Sequence, residues 1–141
     1  MFPKQLVDAS RAIIYFKQNA ERFGIDPERV FTVGFSAGGH LSGSCAIMYS
    51  APEVRAALGI SANENKPCGS VLAYPVVTVN TEITHQYSFE NLLGKKFSKI
   101  TDSEKKRFSL ETSVNRESAP MFLWHTVEDK LVPINGTLLL A

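Results

Sequence analysis

The stretch VFTVGFSAGGHLS, Val30 to Ser42, joins a short branched and aromatic apolar run directly to a segment of small residues, with no loop between them. An apolar run of that length without polar alternation reads as a strand, and as one covered on both faces. The segment after it, from Ala37 to about Tyr49, reads as a helix packed closely on a sheet. A strand that becomes a helix within one residue forces its corner residue into a sparsely populated backbone conformation, and the neighbours two positions away must be small. Those neighbours are Gly34 and Gly38, and the corner is Ser36.

The corner side chain is pushed out above the carboxyl edge of the sheet. The backbone N–H groups that open the helix, beginning with Ala37, then point to where negative charge develops on an attacked carbonyl. Gly34-Phe35-Ser36-Ala37-Gly38 is therefore read as a GxSxG nucleophile elbow. The competing reading is a glycine-rich strand-to-helix turn with a bystander serine.

The rest of the chain fits an alternation of helices and strands. Leu6, Ala9, Ile13, Phe16, Ala20 and Phe23 recur at helical spacing, predicting an amphipathic helix over Gln5–Phe23 that stops at Gly24. IDPERV is a turn into the first strand. SVLAYPVV (Ser70–Val77) and MFLWHT (Met121–Thr126) predict two more strands, and their long connections imply parallel crossovers. Residues 80–120 are too long and polar for a plain connection. They predict a cap-like insertion with short helices around Phe89–Leu93 and Ser103–Leu110. A last helix begins after Pro133.

A nucleophilic serine needs a base, and the base a carboxylate that orients it. Asp129 follows the third strand at the sheet edge where Ser36 is expected, the edge at which parallel sheets gather functional groups. Glu128 is the alternative acid. The histidines are His40, His85 and His125, all before Asp129, whereas the expected order is serine, acid, histidine. His40 lies one turn down the helix from Ser36, its ring directed along the helix flank. His85 falls in the insertion. His125 lies near the acid but is poorly placed to bridge it to Ser36, so His125 and His85 are only weak candidates for the base.

Composition narrows the partners. Fifteen basic against fourteen acidic residues leave a net charge of +1, so nothing points to nucleic acid or an anionic membrane as an obligatory partner. The clustered charges of SEKKRF read as a solvated helix face. Cys45 and Cys68 lack metal-ligand spacing and form no disulfide framework. Both are expected to be packing residues, in a reducing, cytoplasmic setting. No apolar run approaches a membrane span, and the first residues carry no targeting signal.

QLVDASRAIIYFKQNAERFGIDPERVFTVGFSAGGHL, LAYPVV, NLLG at Asn91–Gly94 and SAPMFLWHTVEDKLVP together resemble the α/β-hydrolase serine esterases. Within them, the chain is similar to the bacterial acetyl esterase and acetylxylan-esterase-like group. The resemblance implies an α/β fold, a parallel sheet flanked by helices, in a partial domain spanning residues 1–141. It implies Ser36 as nucleophile, Ala37 as one oxyanion-hole donor and Asp129 as triad acid. Members of the group also have a glycine-rich, HGGG-like loop and earlier strands upstream, and a last strand and a triad histidine downstream. The chain has none of these.

The function so implied is carboxylic ester hydrolysis through an acyl-enzyme, on small esters of short acids such as acetylated oligosaccharides, with no metal or cofactor. A chain without the triad histidine is expected to be weakly active or inactive alone. It is also expected to associate through an exposed sheet edge. A non-catalytic binding or scaffold homologue and a peptidase of the same fold remain open at this point.

Overall fold

A computed structural model describes residues 1–80 and 82–141; Thr81, at the start of the expected insertion, lies outside the described residues. Helix α1 (Lys4–Gln18) is followed at once by α2 (Ala20–Phe23). The single helix expected over Gln5–Phe23 is broken at Asn19, whose backbone N–H and side-chain amide both donate to the Tyr15 carbonyl, at 3.1 and 2.8 Å. Such local side-chain competition for a helix carbonyl is why asparagine favours helix ends. Leu6, Ile13 and Ala20 of the expected apolar stripe are buried, while Phe16 and Phe23 remain exposed and pack with Tyr15.

After a 3-10 turn at Pro27–Arg29, opened by the Asp26 carboxylate accepting from the Glu28 N–H, the chain enters β1 (Phe31–Phe35). Then come α3 (Ala37–Ile47), α4 (Pro52–Leu58) and β2 (Gly69–Ala73). The insertion holds α5 (Gln86–Leu93), a 3-10 turn at Phe97–Lys99, α6 (Asp102–Phe108) and α7 (Leu110–Ser113). β3 (Met121–Trp124) and α8 (Asn135–Leu140) end the fold. Of these, α4 has no counterpart in the sequence reading. The Thr101 hydroxyl accepts from the Glu104 N–H and the Glu104 carboxylate from the Thr101 N–H, a reciprocal cap that starts α6.

The three strands form one parallel sheet in the order β1-β2-β3, with Gly34 beside Leu72 and Leu72 beside Leu123. One face carries Leu72 into the core beneath α3. There the hydroxyl of Thr32 lies 2.7 Å from that of Ser42 and 2.6 Å from that of Ser70, tying strand to helix. Phe89, Phe97, Ile100, Phe108 and Leu110 from residues 80–120 are buried in the same core cluster.

The opposite face is bare. Phe31, Val33 and Phe35 of β1 are 55, 62 and 55% exposed, and Phe122 and Trp124 of β3 are 64 and 50% exposed. Parallel register aligns Val33 with Val71 and Phe122, and Phe35 with Ala73 and Trp124, so these side chains form one apolar surface. The expectation of a strand covered on both faces is thus corrected: within these residues β1 is covered on one. Among the described residues β1 and β3 each pair along one edge only. Of the two cysteines expected to pack, Cys45 is buried and Cys68 is exposed, in the connection just before β2. No helix is long and apolar enough to cross a membrane among the described residues.

Candidate active site

Ser36 sits at the single-residue junction of β1 and α3 with φ 52° and ψ −120°, a left-handed conformation that a residue with a Cβ rarely adopts. Four contacts hold it there. Its N–H donates to the Ala73 carbonyl at 3.1 Å, and its own carbonyl accepts from the N–H groups of His40 and Val76, both at 3.2 Å. The fourth is the steric fit of Gly34, where a Cβ would overlap the backbone carbonyl of Gly38.

By residue spacing, the second steric requirement falls on Gly38. A Cβ at Gly38 meets no atom within 4 Å, whereas one at Gly39 would lie 2.9 Å from both Cα and Cβ of Pro75. The tight position on the helix side is therefore Gly39, because α3 passes closest to the segment leaving β2 at that residue. Sequence reasoning also passed over Tyr74, the other positive-φ residue besides glycine among those described (φ 37°), at the end of β2. Its N–H donates to the Trp124 carbonyl at 2.6 Å. The residue before a proline is ordinarily pushed to extended backbone at negative φ, so nothing in the sequence signalled this conformation.

Among the described residues no side chain caps the N-terminus of α3, and the Ser36 hydroxyl is not spent on that role. Ala37, the first helical residue, is exposed and Ser36 is half-buried. The site therefore offers a hydroxyl beside uncapped helix N–H groups, where the helix dipole favours an oxyanion.

Asp129 lies in the loop after β3, at the same carboxyl edge of the sheet as Ser36, with β2 between their strands. Its Oδ1 accepts from the N–H groups of Leu131 and Val132 at 2.9 and 3.0 Å. Those bonds, Val132 foremost, hold the carboxyl below the usual aspartate range against the opposing effect of desolvation, and the His125 ring adds a smaller attraction. Glu128 is exposed.

Each histidine has a structural partner. His125 Nε2 donates to the Val132 carbonyl at 2.8 Å and Nδ1 lies 2.8 Å from the Thr137 hydroxyl, so both ring nitrogens are engaged between the Asp129 loop and α8. Asp129 Oδ2 is 3.7 Å from Nε2. His85 Nδ1 lies 2.8 Å from the Ser88 hydroxyl. His40 Nδ1 donates to the Val76 carbonyl at 2.9 Å, and burial pushes the ring pKa down to about 4, leaving it neutral. Among the described residues none of the three rings is hydrogen-bonded to Ser36.

The elbow, the parallel sheet and the order of elements now stand beside known proteins. The family model described as BD-FAE matches residues 1–141. This chain belongs to the BD-FAE family. Among curated relatives, the family member is 37% identical over 141 residues to "Endo-1,4-beta-xylanase B" of Butyrivibrio fibrisolvens, covering 96% of this chain and 21% of that protein. It is 29% identical over 131 residues to "Acetylxylan esterase" of Xylanibacter ruminicola, covering 90% of this chain and 24% of that protein.

Among solved structures, the acetyl ester-xyloside bifunctional hydrolase of Caldicellulosiruptor lactoaceticus superposes with a TM-score of 0.81 at 30% identity, over 99% of this chain and 50% of that one. Esterase 2 of Thermogutta terrifontis, solved as "phosphonylated by sarin", superposes with a TM-score of 0.74 at 25% identity, over 96% of this chain and 48% of that one. This BD-FAE chain has the α/β-hydrolase fold, and spans about half the length of these solved structures and under a quarter of these curated relatives.

Proposed function

We propose that this chain carries the nucleophile and acid of a serine esterase that deacetylates short-chain esters of carbohydrates. The observation that carries the proposal is Ser36, held at φ 52° at the N-terminus of an uncapped α3. The relatives named as acetylxylan esterase and acetyl ester-xyloside hydrolase support the ester class and the acetyl preference.

In the reaction, Ser36 Oγ attacks the ester carbonyl carbon while its proton passes to a histidine base. Ala37 N–H donates to the oxygen that becomes negative. The tetrahedral intermediate collapses, the C–O bond to the alcohol breaks, and the histidine returns the proton to the departing alkoxide. Water, deprotonated by the same base, then attacks the acyl-enzyme and releases the acid and free Ser36. Asp129 orients and stabilises the protonated base. The base is read as a histidine outside these 141 residues, as the family likeness implies; in support, none of the three rings is hydrogen-bonded to Ser36 among the described residues, and His125 has both ring nitrogens engaged.

A fluorophosphonate probe tests the nucleophile directly. In the protein that carries this chain together with such a histidine, one equivalent of label is expected on Ser36 and none on Ser36→Ala. Absence of label there would leave the elbow as the turn of a non-catalytic homologue. With the label in place, release of acetate from acetylated xylo-oligosaccharides, set against a peptide panel, separates the esterase from a peptidase.

A further inference from the structure

Between α1, α3 and α5, a cavity of about 160 Å³ opens beside Ala37. A dry cavity of similar size is large enough for a benzene-sized group. Its walls are mainly apolar, with Ala37, Val76, Phe89 and Leu92, and four polar residues, Gln5, His40, Ser88 and Asn91, complete the lining. Oε1 of Gln5 and Nε2 of His40 are both buried, with no hydrogen-bond partner among the described residues.

The chemistry of Nε2 follows from the other ring nitrogen. His40 Nδ1 is 2.9 Å from the Val76 carbonyl, which can only accept, so Nδ1 holds the proton and Nε2 presents a lone pair. The ring is 6% exposed and stacks edge-on against Phe89, which fixes its direction. Two of the residues lining the cavity thus hold a buried acceptor without a partner among the described residues, Gln5 Oε1 and His40 Nε2, and an acceptor left unpaired is costly. One water would satisfy Nε2 but fill only a small part of the space.

We propose that this cavity is a binding subsite for a small, mainly apolar group carrying one hydroxyl, with the hydroxyl donating to His40 Nε2 and the body of the group resting on Phe89 and Leu92. The placement of the group next to a reacting ester rests on the reading of Ser36, through the shared residue Ala37; the binding itself does not. A hydroxyl on the acyl chain or on the alcohol presents the same donor.

The test uses the Ser36→Ala variant of the protein that carries this chain, so that turnover cannot consume the ligand. Methyl 3-hydroxybutyrate and methyl butyrate form one pair of probes, and 3-hydroxybutyl acetate and butyl acetate the other. Nitrogen-15 NMR of the imidazole follows each titration. In at least one pair the hydroxylated ester is expected to bind about tenfold tighter than its deoxy counterpart and to shift the His40 Nε2 resonance. The pair that does so assigns the hydroxyl to the acyl or the alcohol side.

Gln5→Leu is expected to preserve that preference with weaker binding, and Leu92→Trp, which fills the cavity, to abolish binding of every probe while the amide spectrum stays folded. Binding of no probe, equal affinity within both pairs, or binding that survives Leu92→Trp would overturn the subsite. Fluorophosphonate labelling of the unsubstituted serine reports on the nucleophile separately, so either proposal can fail without the other.

Discussion

His40 and Val76 are joined across the elbow: the ring Nδ1 of His40 donates to the Val76 carbonyl at 2.9 Å, while the Val76 N–H donates to the Ser36 carbonyl at 3.2 Å. The same Ser36 carbonyl accepts the His40 N–H. The segment leaving β2 is thus clamped to the strained corner by one neutral imidazole.

That clamp makes stability pH-dependent. Burial pushes the folded His40 pKa down to about 4 from the 6.5 of a free imidazole, so between those values the unfolded chain binds a proton the native chain does not. Stability therefore falls on acidification across that window, by roughly 1.4 kcal/mol per pH unit at most and about 3 kcal/mol in total. Urea denaturation between pH 7 and pH 4 checks this, and His40→Gln is expected to flatten the slope. An unchanged slope in that variant would remove His40 as its source.

The glycines of the elbow differ in what they tolerate. Gly34→Ala is expected to cost more than about 3 kcal/mol or to prevent folding, because the new methyl overlaps the backbone of Gly38, which cannot move without opening α3. Gly38→Ala meets no atom within 4 Å and is expected to be neutral or mildly stabilising, by up to about 1 kcal/mol, as a helix position relieved of glycine. Thermal unfolding of the two variants side by side decides the point.

Asp129 has a structural task as well as the proposed catalytic one. Its Oδ1 holds the N–H groups of Leu131 and Val132, so Asp129→Ala is expected to speed amide hydrogen exchange at both while leaving the amides of β2 unchanged. Because those bonds hold the folded carboxyl below the ordinary aspartate range, its contribution is present at neutral pH and is lost only as pH falls through the depressed value. This acid limb lies below most of the His40 window, so the two are separable in one pH series.

The bare sheet face should govern solution behaviour. Phe31, Val33, Phe35, Phe122 and Trp124 form a contiguous apolar surface beside strand edges unpaired among the described residues, and the 141-residue chain is expected to associate as its concentration rises. The double variant Val33→Lys with Phe122→Lys is expected to shift sedimentation toward monomer. A wild-type chain that stays monomeric at high concentration would show that the face does not drive association.

Much of the architecture was legible in the residues. Three apolar runs became three parallel strands, and the GFSAGG junction became a one-residue turn with Ser36 at positive φ, because local sterics leave a strand-to-helix corner few alternatives. Asp129 was placed at the carboxyl edge by its position after β3. Residue spacing alone failed where the answer depended on what another element brings near. It assigned tightness to Gly38 rather than Gly39, because Pro75 approaches α3 from a strand distant in sequence.

By itself, the sequence determined the type and order of the main elements and the strained serine corner, through apolar periodicity and backbone sterics that act over a few residues. Only the tertiary structure decided which face of β1 is bare, which histidine nitrogens are engaged, and that His40, with its Nε2 unpaired among the described residues, lines a cavity beside Ala37. Those properties depend on contacts across the sheet and between α1, α3 and α5. Such contacts exist only once segments far apart in the chain have packed together.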